Sequence, residues 1–408
     1  MKKALQFTLG ILTAIGGMID IGNLAGNTEA GARFGMGLAW VIAVGLVAIV
    51  LYTNMAGRVA AISHRAAFDV IRERLGPRVA MVNLGASAAL TLLTLVAEVA
   101  GVGLVLQLAT GLNYRLWIPI VALALWAILW WSKFETMERS YALVGLTLLV
   151  LLAAVWALHP DSGDLLHRSV HPAIPHGEDL KSYFYLAIAQ FGAMVTPYQV
   201  LFFSSGAVEE GWTARDLAVE RVNVFIGFPV GAMLAMALMV LGAVVLQPRG
   251  ITVSHLSQVG LPVTLALGRS GLWLVLVGMF AAVFGAAAEA TLSTAYSICQ
   301  YFGWQWGKFV RRPEAPRFWS LLVFLLFIVT TVALIFDPIK VALFSIVFSA
   351  AAVPLTFFPI LVVANDPAYV GEKTNGPVTN VLAVILLVLM VIVSLATVPL
   401  LVATRGNG

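Results

Sequence analysis

The chain has 408 residues, of which 61% are hydrophobic and 11% are charged, and its mean hydropathy is +0.96. So much apolar surface and so little charge exclude an ordinary soluble globular protein. The single cysteine, Cys299, excludes an internal disulfide and a cysteine metal cluster. The net charge of +4 comes from short loops beside apolar runs, which is a topology signal and no indication of nucleic-acid binding.

Apolar runs of membrane-spanning length follow one another along the chain. A hydrocarbon core about 30 Å thick requires about 20 apolar residues per helix, and the runs lack the alternating pattern of a barrel, so we expect helices. The sequence therefore predicts a single all-α polytopic membrane domain over residues 1–408 with about eleven spans. The predicted spans cover residues 5–34, 36–62, 79–109, 115–133, 138–158, 181–205, 217–247, 270–302, 317–336, 340–364 and 379–403.

The basic residues predict the orientation of the chain. Lys2 and Lys3 precede an apolar run without a clear cleavage site, which indicates a retained first span and no signal peptide. With the N-terminus in the cytoplasm, 16 of the 24 basic residues lie inside, and the positive-inside rule then places the C-terminus outside. Without an organelle-targeting segment we expect a bacterial inner membrane. The loop 159–181 holds three prolines and is predicted to be an irregular external connection.

Three carboxylates lie well inside predicted spans: Asp20, Glu98 and Glu289. A charge at the bilayer centre costs at least about 2.5 kcal/mol, so each of these acids requires an explanation. The sequence places no lysine or arginine at comparable depth, and all six histidines fall in predicted loops. A bound cation or protons could therefore neutralise the acids. For Glu98 and Glu289 a cation pathway and a protonated structural role are equally compatible with the sequence.

Two spans carry interruptions near their middle. The first contains Gly16-Gly17 and then Asp20-Ile21-Gly22-Asn23, whose glycines and short polar side chains disfavour a continuous helix. The sixth contains Pro197, which lacks an N–H and clashes with the carbonyl four residues earlier. One such interruption is usually a kink, but two in matching positions indicate an inverted repeat, with a substrate site between the broken helices. We assign the repeats to residues 5–158 and 181–364, followed by an additional helix at 379–403.

At these motifs the chain resembles the NRAMP family of divalent metal transporters. Asp20-Ile21-Gly22-Asn23 stands where that family has Asp-Pro-Gly-Asn, Ala97-Glu98-Val99 is similar to the Ala-Glu-Val of its third span, and Gly371-Glu372 also matches. The resemblance implies a LeuT-type fold of eleven or twelve spans in a 5+5 inverted repeat with helices 1 and 6 broken. It also implies metal transport.

The chain departs from the family pattern at several metal and proton positions. Thr196-Pro197-Tyr198-Gln199 replaces the family's Met-Pro-His-Asn, and Leu95, Phe203 and Ala352 replace an aspartate, a histidine and a glutamine. Losing a thioether favours hard cations such as Mg²⁺ and Mn²⁺ over softer metals, and the smaller ligands leave room for the waters that Mg²⁺ retains. Together with the segments 209–212 and 289–293, the Thr-Pro-Tyr motif most resembles the NRAMP-related magnesium transporter branch. The missing groups predict transport without obligatory proton coupling.

The predicted ligands are Asp20, the amide oxygen of Asn23, the carbonyl of Ala193 and Thr196, with waters in the remaining positions. The residues assigned to a pathway or to the surroundings of the site are Tyr198, Gln199, Glu98, Glu289 and Met194. Met194 could supply sulfur if the unwound segment shifts its register. The metal is a substrate and no cofactor is expected. The expected partners are the metal and the bilayer, without nucleic acid. The oligomeric state stays open, and a monomer is compatible.

Two other transporter functions remain compatible with the sequence. A proton-coupled carrier of Mn²⁺ or Fe²⁺ would use Glu98 and Glu289 as a proton relay. A LeuT-type sodium-coupled amino-acid carrier would bind a substrate carboxylate at half-helix N-termini, but Asp20 would repel it. A membrane enzyme is disfavoured because the sequence has no H-E-x-x-H motif, no intramembrane histidine and no nucleophile elbow. The sequence does not rank Mg²⁺ against Mn²⁺.

Overall fold

The computed structural model describes residues 18–175 and 177–404, and all regular secondary structure in this part of the chain is helical. The α-helices are α1 (Ile21–Phe34), α2 (Ala39–Ser63), α3 (Ala67–Thr110), α4 (Tyr114–Trp131), α5 (Phe134–Gly145), α6 (Val150–Ala157), α7 (Ser162–Val170), α8 (Leu180–Met194), α9 (Pro197–Glu209), α10 (Leu217–Val222), α11 (Phe228–Leu241), α12 (Ser257–Phe302), α13 (Pro316–Ile335), α14 (Pro338–Ala364), α15 (Pro367–Val370) and α16 (Pro377–Ala403). Short 3₁₀ segments occur at Leu146–Leu149, Ala214–Asp216 and Gln247–Arg249, and single π turns at Asn223–Gly227 and Gly242–Leu246.

The helices correspond closely to the predicted spans. Within the described residues, ten helical segments are long and apolar enough to cross a membrane, and they match the second to the eleventh predicted span. The first span is described only from residue 18 onwards, and α1 forms its second half. The Gly16-Gly17 interruption that we predicted lies outside the described residues.

Three boundaries differ from the prediction. α3 begins at Ala67 instead of residue 79, and α12 begins at Ser257 instead of residue 270. In both helices a first segment joins the longer span at a glycine with positive φ, 82° at Gly76 and 68° at Gly268. The first segment of α3 carries four charged residues, which lowers its hydropathy, whereas that of α12 is mostly apolar and the prediction began the span only after Arg269. The loop 159–181, which we expected to be irregular, contains α7, because Asp161 caps it by accepting from the N–H groups of Gly163 and Asp164.

The centre of the bundle is built from two groups of three helices. α3 packs along both α12 and α14, while α1 packs against α8 and α11. At Gly192 of α8 the backbones come so close that a Cβ atom would lie 2.0 Å from the carbonyl oxygen of Ile346 in α14. Small residues permit this kind of approach between membrane helices. The packing brings the beginning of α1 beside the junction of α8 and α9.

Candidate functional site

The first half of the site is the buried N-terminal end of α1. Asp20 precedes the helix with extended backbone angles, φ −98° and ψ 177°, and its Oδ1 accepts from the backbone N–H of Asn23 at 2.6 Å. Asp20 is only 1% exposed. The chain is therefore not helical at residue 20, and a buried carboxylate lies at a helix N-terminus, where the unpaired N–H groups favour a negative charge.

The second half of the site is the break between α8 and α9. Val195 and Thr196 are non-helical, and α9 begins at Pro197. In a continuous helix the N–H of residue 197 would bond to the carbonyl of residue 193, but proline has no N–H. The Ala193 carbonyl is thus released from the helix, as the sequence predicted, and it accepts from Asn23 Nδ2 at 3.0 Å.

Asn23 joins the two halves of the site. Its Nδ2 donates to Ala193 O at 3.0 Å and to Asp20 Oδ1 at 3.2 Å, so the amide nitrogen lies between an oxygen atom at the start of α1 and one at the α8–α9 break. The prediction had the amide oxygen in this position. Rotating the Asn23 amide by 180° would place its Oδ1 beside Asp20 Oδ1 and Ala193 O, so that three oxygen atoms would surround one point.

Two residues that the sequence reasoning missed hold Asn23 in this orientation. Asn27 Nδ2 donates to Asn23 Oδ1 at 3.0 Å and to its backbone carbonyl at 2.9 Å. Gln190 Nε2 in turn donates to Asn27 Oδ1 at 2.6 Å. Asn27 could have been found from the sequence because it lies one helical turn after Asn23 on the same face, whereas Gln190 is 163 residues away from Asn27.

Glu98 lies directly beside this cluster. Its two carboxylate oxygens accept from the backbone N–H of Ile21 at 3.2 and 3.3 Å, and the side chain is fully buried. None of the ion pairs among the described residues involves Asp20, Glu98 or Glu289. Two acidic side chains therefore meet at the start of α1 without a basic partner.

Polar side chains without partners surround the α8–α9 break. The Thr196 hydroxyl, the Tyr198 hydroxyl and both amide atoms of Gln199 are buried and make no hydrogen bond. Thr196 and Tyr198 lie near each other, but their hydroxyls do not meet with hydrogen-bond geometry. Buried polar groups normally have a partner, either protein or ordered water, so these four groups indicate space for water or for a hydrated ion.

The remaining predicted residues occupy distinct places. Glu289 of α12 is mostly buried and lies within electrostatic reach of Tyr198. Met194 is fully buried, and its Cβ and Cγ pack against Gly45 of α2. At the positions where the chain departs from the NRAMP pattern, Leu95 is fully buried and Phe203 packs edge-on against Trp212, so neither position offers a polar group.

Comparison with solved structures defines the fold. Crystal structures of a manganese transporter from Eremococcus coleocola superpose with a TM-score of 0.72 at 19% sequence identity, covering 99% of this chain and 88% of that one. Mhp1, described as a nucleobase-cation-symport-1 family transporter, gives a TM-score of 0.61 at 15% identity over 98% of this chain and 93% of its own. The fold is therefore that of LeuT-type transporters.

Sequence comparison places the chain within that class. It matches the family described as "Natural resistance-associated macrophage protein-like" (Nramp) over residues 10–399, and it belongs to this NRAMP family. The protein named "Divalent metal cation transporter MntH" from Aeromonas hydrophila is 23% identical over 384 residues, covering 92% of this chain and 91% of that protein. A protein of the same name from Caldanaerobacter subterraneus is 23% identical over 94% of this chain and 90% of its own length.

Proposed function

We propose that this protein carries divalent metal cations across a bacterial inner membrane by alternating access, with the cation bound between α1 and the α8–α9 break. The observation that carries the proposal is the pair of buried acids, Asp20 and Glu98, which has no basic partner among the described residues. The Asn23 amide connects Asp20 Oδ1 to the released carbonyl of Ala193. A dication would balance that charge. The names of the related MntH proteins support the same cargo.

The ligands we propose are Asp20 Oδ1, Ala193 O, Thr196 and the Asn23 amide oxygen. Because the Asn23 nitrogen faces Asp20 and Ala193 in this structure, binding through its oxygen requires the amide to turn, and the cation then replaces the amide hydrogens as the partner of these two acceptors. Asp20 Oδ1 and Ala193 O therefore have a partner both with and without the cation. This avoids the cost of about 1–3 kcal/mol for leaving a buried polar group unsatisfied.

We further propose that the preferred cations are Mg²⁺ and Mn²⁺, with part of their water retained, as in the magnesium branch that the motifs resemble. The site offers carboxylate, amide, hydroxyl and carbonyl oxygen, which suit hard cations. The unpartnered groups of Thr196, Tyr198 and Gln199 are suitable acceptors and donors for bound water. The Met194 side chain packs against α2, which does not favour a sulfur ligand.

Transport without obligatory proton coupling is the driving mechanism we propose. Leu95 and Phe203 supply no titratable group. A divalent ion gains about 4.6 kcal/mol on moving inward through 100 mV, twice the value for a single charge. The alternative is proton-coupled transport of Mn²⁺ or Fe²⁺, which the position of Glu98 beside Asp20 would support. We also propose the inverted-repeat assignment of residues 5–158 and 181–364 and a cytoplasmic N-terminus.

The proposal is tested in proteoliposomes that contain a dye for divalent metals and a separate pH dye. Asp20→Asn keeps an oxygen that can cap α1 but removes the charge. At an effective dielectric of about 20, one pair of unit charges 4 Å apart is worth about 4 kcal/mol, and a dication doubles this. We therefore expect a loss of apparent affinity of at least about 100-fold, since 1.4 kcal/mol is a factor of ten.

Asp161→Asn is the matched control, because Asp161 also caps a helix but lies exposed in the external loop. Near-normal Mn²⁺ and Mg²⁺ uptake by Asp20→Asn would reject the site. Acidification of the vesicle lumen in proportion to metal uptake would reject uncoupled transport while leaving the site in place.

A further inference from the structure

A groove on the outer surface of the bundle runs between α4 and α13. Its two adjoining parts have volumes of about 570 Å³ and about 460 Å³ and share the side chains of Val323 and Phe327. From Pro316 to Thr330 it follows about 21 Å of α13, at 1.5 Å per residue. One leaflet contributes about 15 Å, half of the hydrocarbon core. The groove is therefore long enough for one lipid from a single leaflet.

One end of the groove is occupied by a fixed guanidinium. Arg312 lies with its Cζ 4.8 Å from the ring centre of Trp130 and 5.6 Å from that of Trp319. Its Nη2 donates to the carbonyl of Trp130 at 2.7 Å. No ion pair within the described part of the chain neutralises Arg312. The two rings hold the group in place, and most of its five N–H donors have no partner among the described side chains.

An indole N–H at the same end also has no partner. Trp319 lines the groove and is only 5% exposed, yet its Nε1 makes no hydrogen bond. Leaving a buried donor unsatisfied costs about 1–3 kcal/mol, and tryptophan at a membrane interface usually donates to a polar group there. The Nε1 atom is shielded from solvent in this conformation, so an acceptor oxygen from outside the protein would satisfy it once the indole ring turns towards the groove.

The surroundings of this end are strongly basic. The connection from residue 303 to residue 317 contains four basic residues and one acidic residue. Glu209 of α9 also lies here and accepts from the backbone N–H of Lys308 at 2.6 Å, so four basic residues stand against two acidic ones. Positive charge is thus in excess here, on the side that the distribution of basic residues assigns to the cytoplasm.

We propose that this groove binds one acidic phospholipid, whose phosphate contacts Arg312 and Trp319 and whose acyl chain lies between α4 and α13. A guanidinium bonds a phosphate through two parallel N–H groups. A zwitterionic lipid would bring an ammonium group into a region that is already positive, whereas an acidic headgroup is attracted to it. The apolar side chains at Val323, Phe324 and Phe327 are exposed to lipid and form the wall for the acyl chain.

The test is native mass spectrometry of the full chain in mild detergent, with phosphatidylglycerol and phosphatidylcholine of identical acyl chains added in equal amounts. The wild type should retain one phosphatidylglycerol with a preference of about tenfold, the scale expected for one charge-assisted contact. Arg312→Gln should abolish the preference, and Trp319→Phe should reduce it while keeping the ring.

Arg311→Gln is the matched control. Arg311 is the residue adjacent to Arg312 and carries the same charge, but it is exposed and forms an ion pair with Glu314 at 2.7 Å. Its lipid preference should equal that of the wild type. If Arg312→Gln does not fold, Arg312→Lys keeps the charge without the planar fork and should retain only part of the preference. Equal retention of the two lipids by the wild type would overturn the proposal. So would a dimer that forms with the groove free of lipid.

Discussion

Asn27 restrains the proposed ligand Asn23, and replacing Asn27 by leucine should change how readily the site accepts a cation. In the structure Asn27 Nδ2 donates to Asn23 Oδ1 at 3.0 Å, and this bond keeps the Asn23 nitrogen facing Asp20 and Ala193. The cation requires the opposite orientation. In Asn27→Leu the hydrogen bond that stabilises the observed orientation of the Asn23 amide is lost. The substitution also removes the Asn27 N–H group that would face the Asn23 nitrogen after the amide has turned.

The expected change in cation affinity follows from the net free energy of one buried hydrogen bond. A net contribution of about 0.5–1.5 kcal/mol corresponds to a factor of about two to twelve in an equilibrium constant. The apparent affinity for Mn²⁺ and Mg²⁺ should therefore rise by about two- to twelvefold. The same substitution leaves Gln190 Nε2 without its acceptor in both states, so stability should fall by about 1–3 kcal/mol.

The assay is initial uptake into proteoliposomes over a range of metal concentrations, using only protein that elutes as a folded species. The matched control is Thr28→Val, since Thr28 is buried in the same helix but bonds only to the carbonyl of Leu24, at 2.7 Å. The control should leave KM unchanged. If KM rises in Asn27→Leu, Asn27 stabilises the cation-bound site. The argument that its hydrogen bond to Asn23 opposes cation binding would then be wrong.

Further outcomes are expected at and beside the α8–α9 break. Gly192→Ala would place a Cβ 2.0 Å from the Ile346 carbonyl oxygen and 2.9 Å from the Ala350 nitrogen. Because both are backbone atoms, stability should fall by at least about 1–3 kcal/mol, seen as a lower unfolding temperature in detergent. Gly145→Ala, where nothing lies within 4 Å, should leave that temperature unchanged, and equal temperatures for both variants would contradict the packing argument. Thr196→Met adds a soft thioether and should shift preference from Mg²⁺ towards Cd²⁺ or Mn²⁺. Competition uptake measures this shift, and an unaltered order of preference would count against Thr196 as a ligand.

The local backbone chemistry of the site was predictable from the sequence. Pro197 cannot donate an N–H, so the break before α9 and the free Ala193 carbonyl follow from one residue type. Asp20 is a short polar side chain that caps a helix by bonding three residues ahead, and this too is a local property. Hydropathy located ten helices within the described residues for the same reason, since each apolar run must satisfy its own backbone in lipid.

Only the tertiary structure decided how these elements meet. The bond from Asn23 to Ala193 joins residues 170 positions apart, and that from Ile21 to Glu98 joins residues 77 apart. Which nitrogen or oxygen of Asn23 faces the gap depends on Asn27 and, through it, on Gln190. Such contacts depend on how α1, α3 and α8 pack in three dimensions, which no local pattern encodes. The sequence determined the cap at Asp20 and the break before Pro197, and the packing determined which groups meet between α1 and the α8–α9 break.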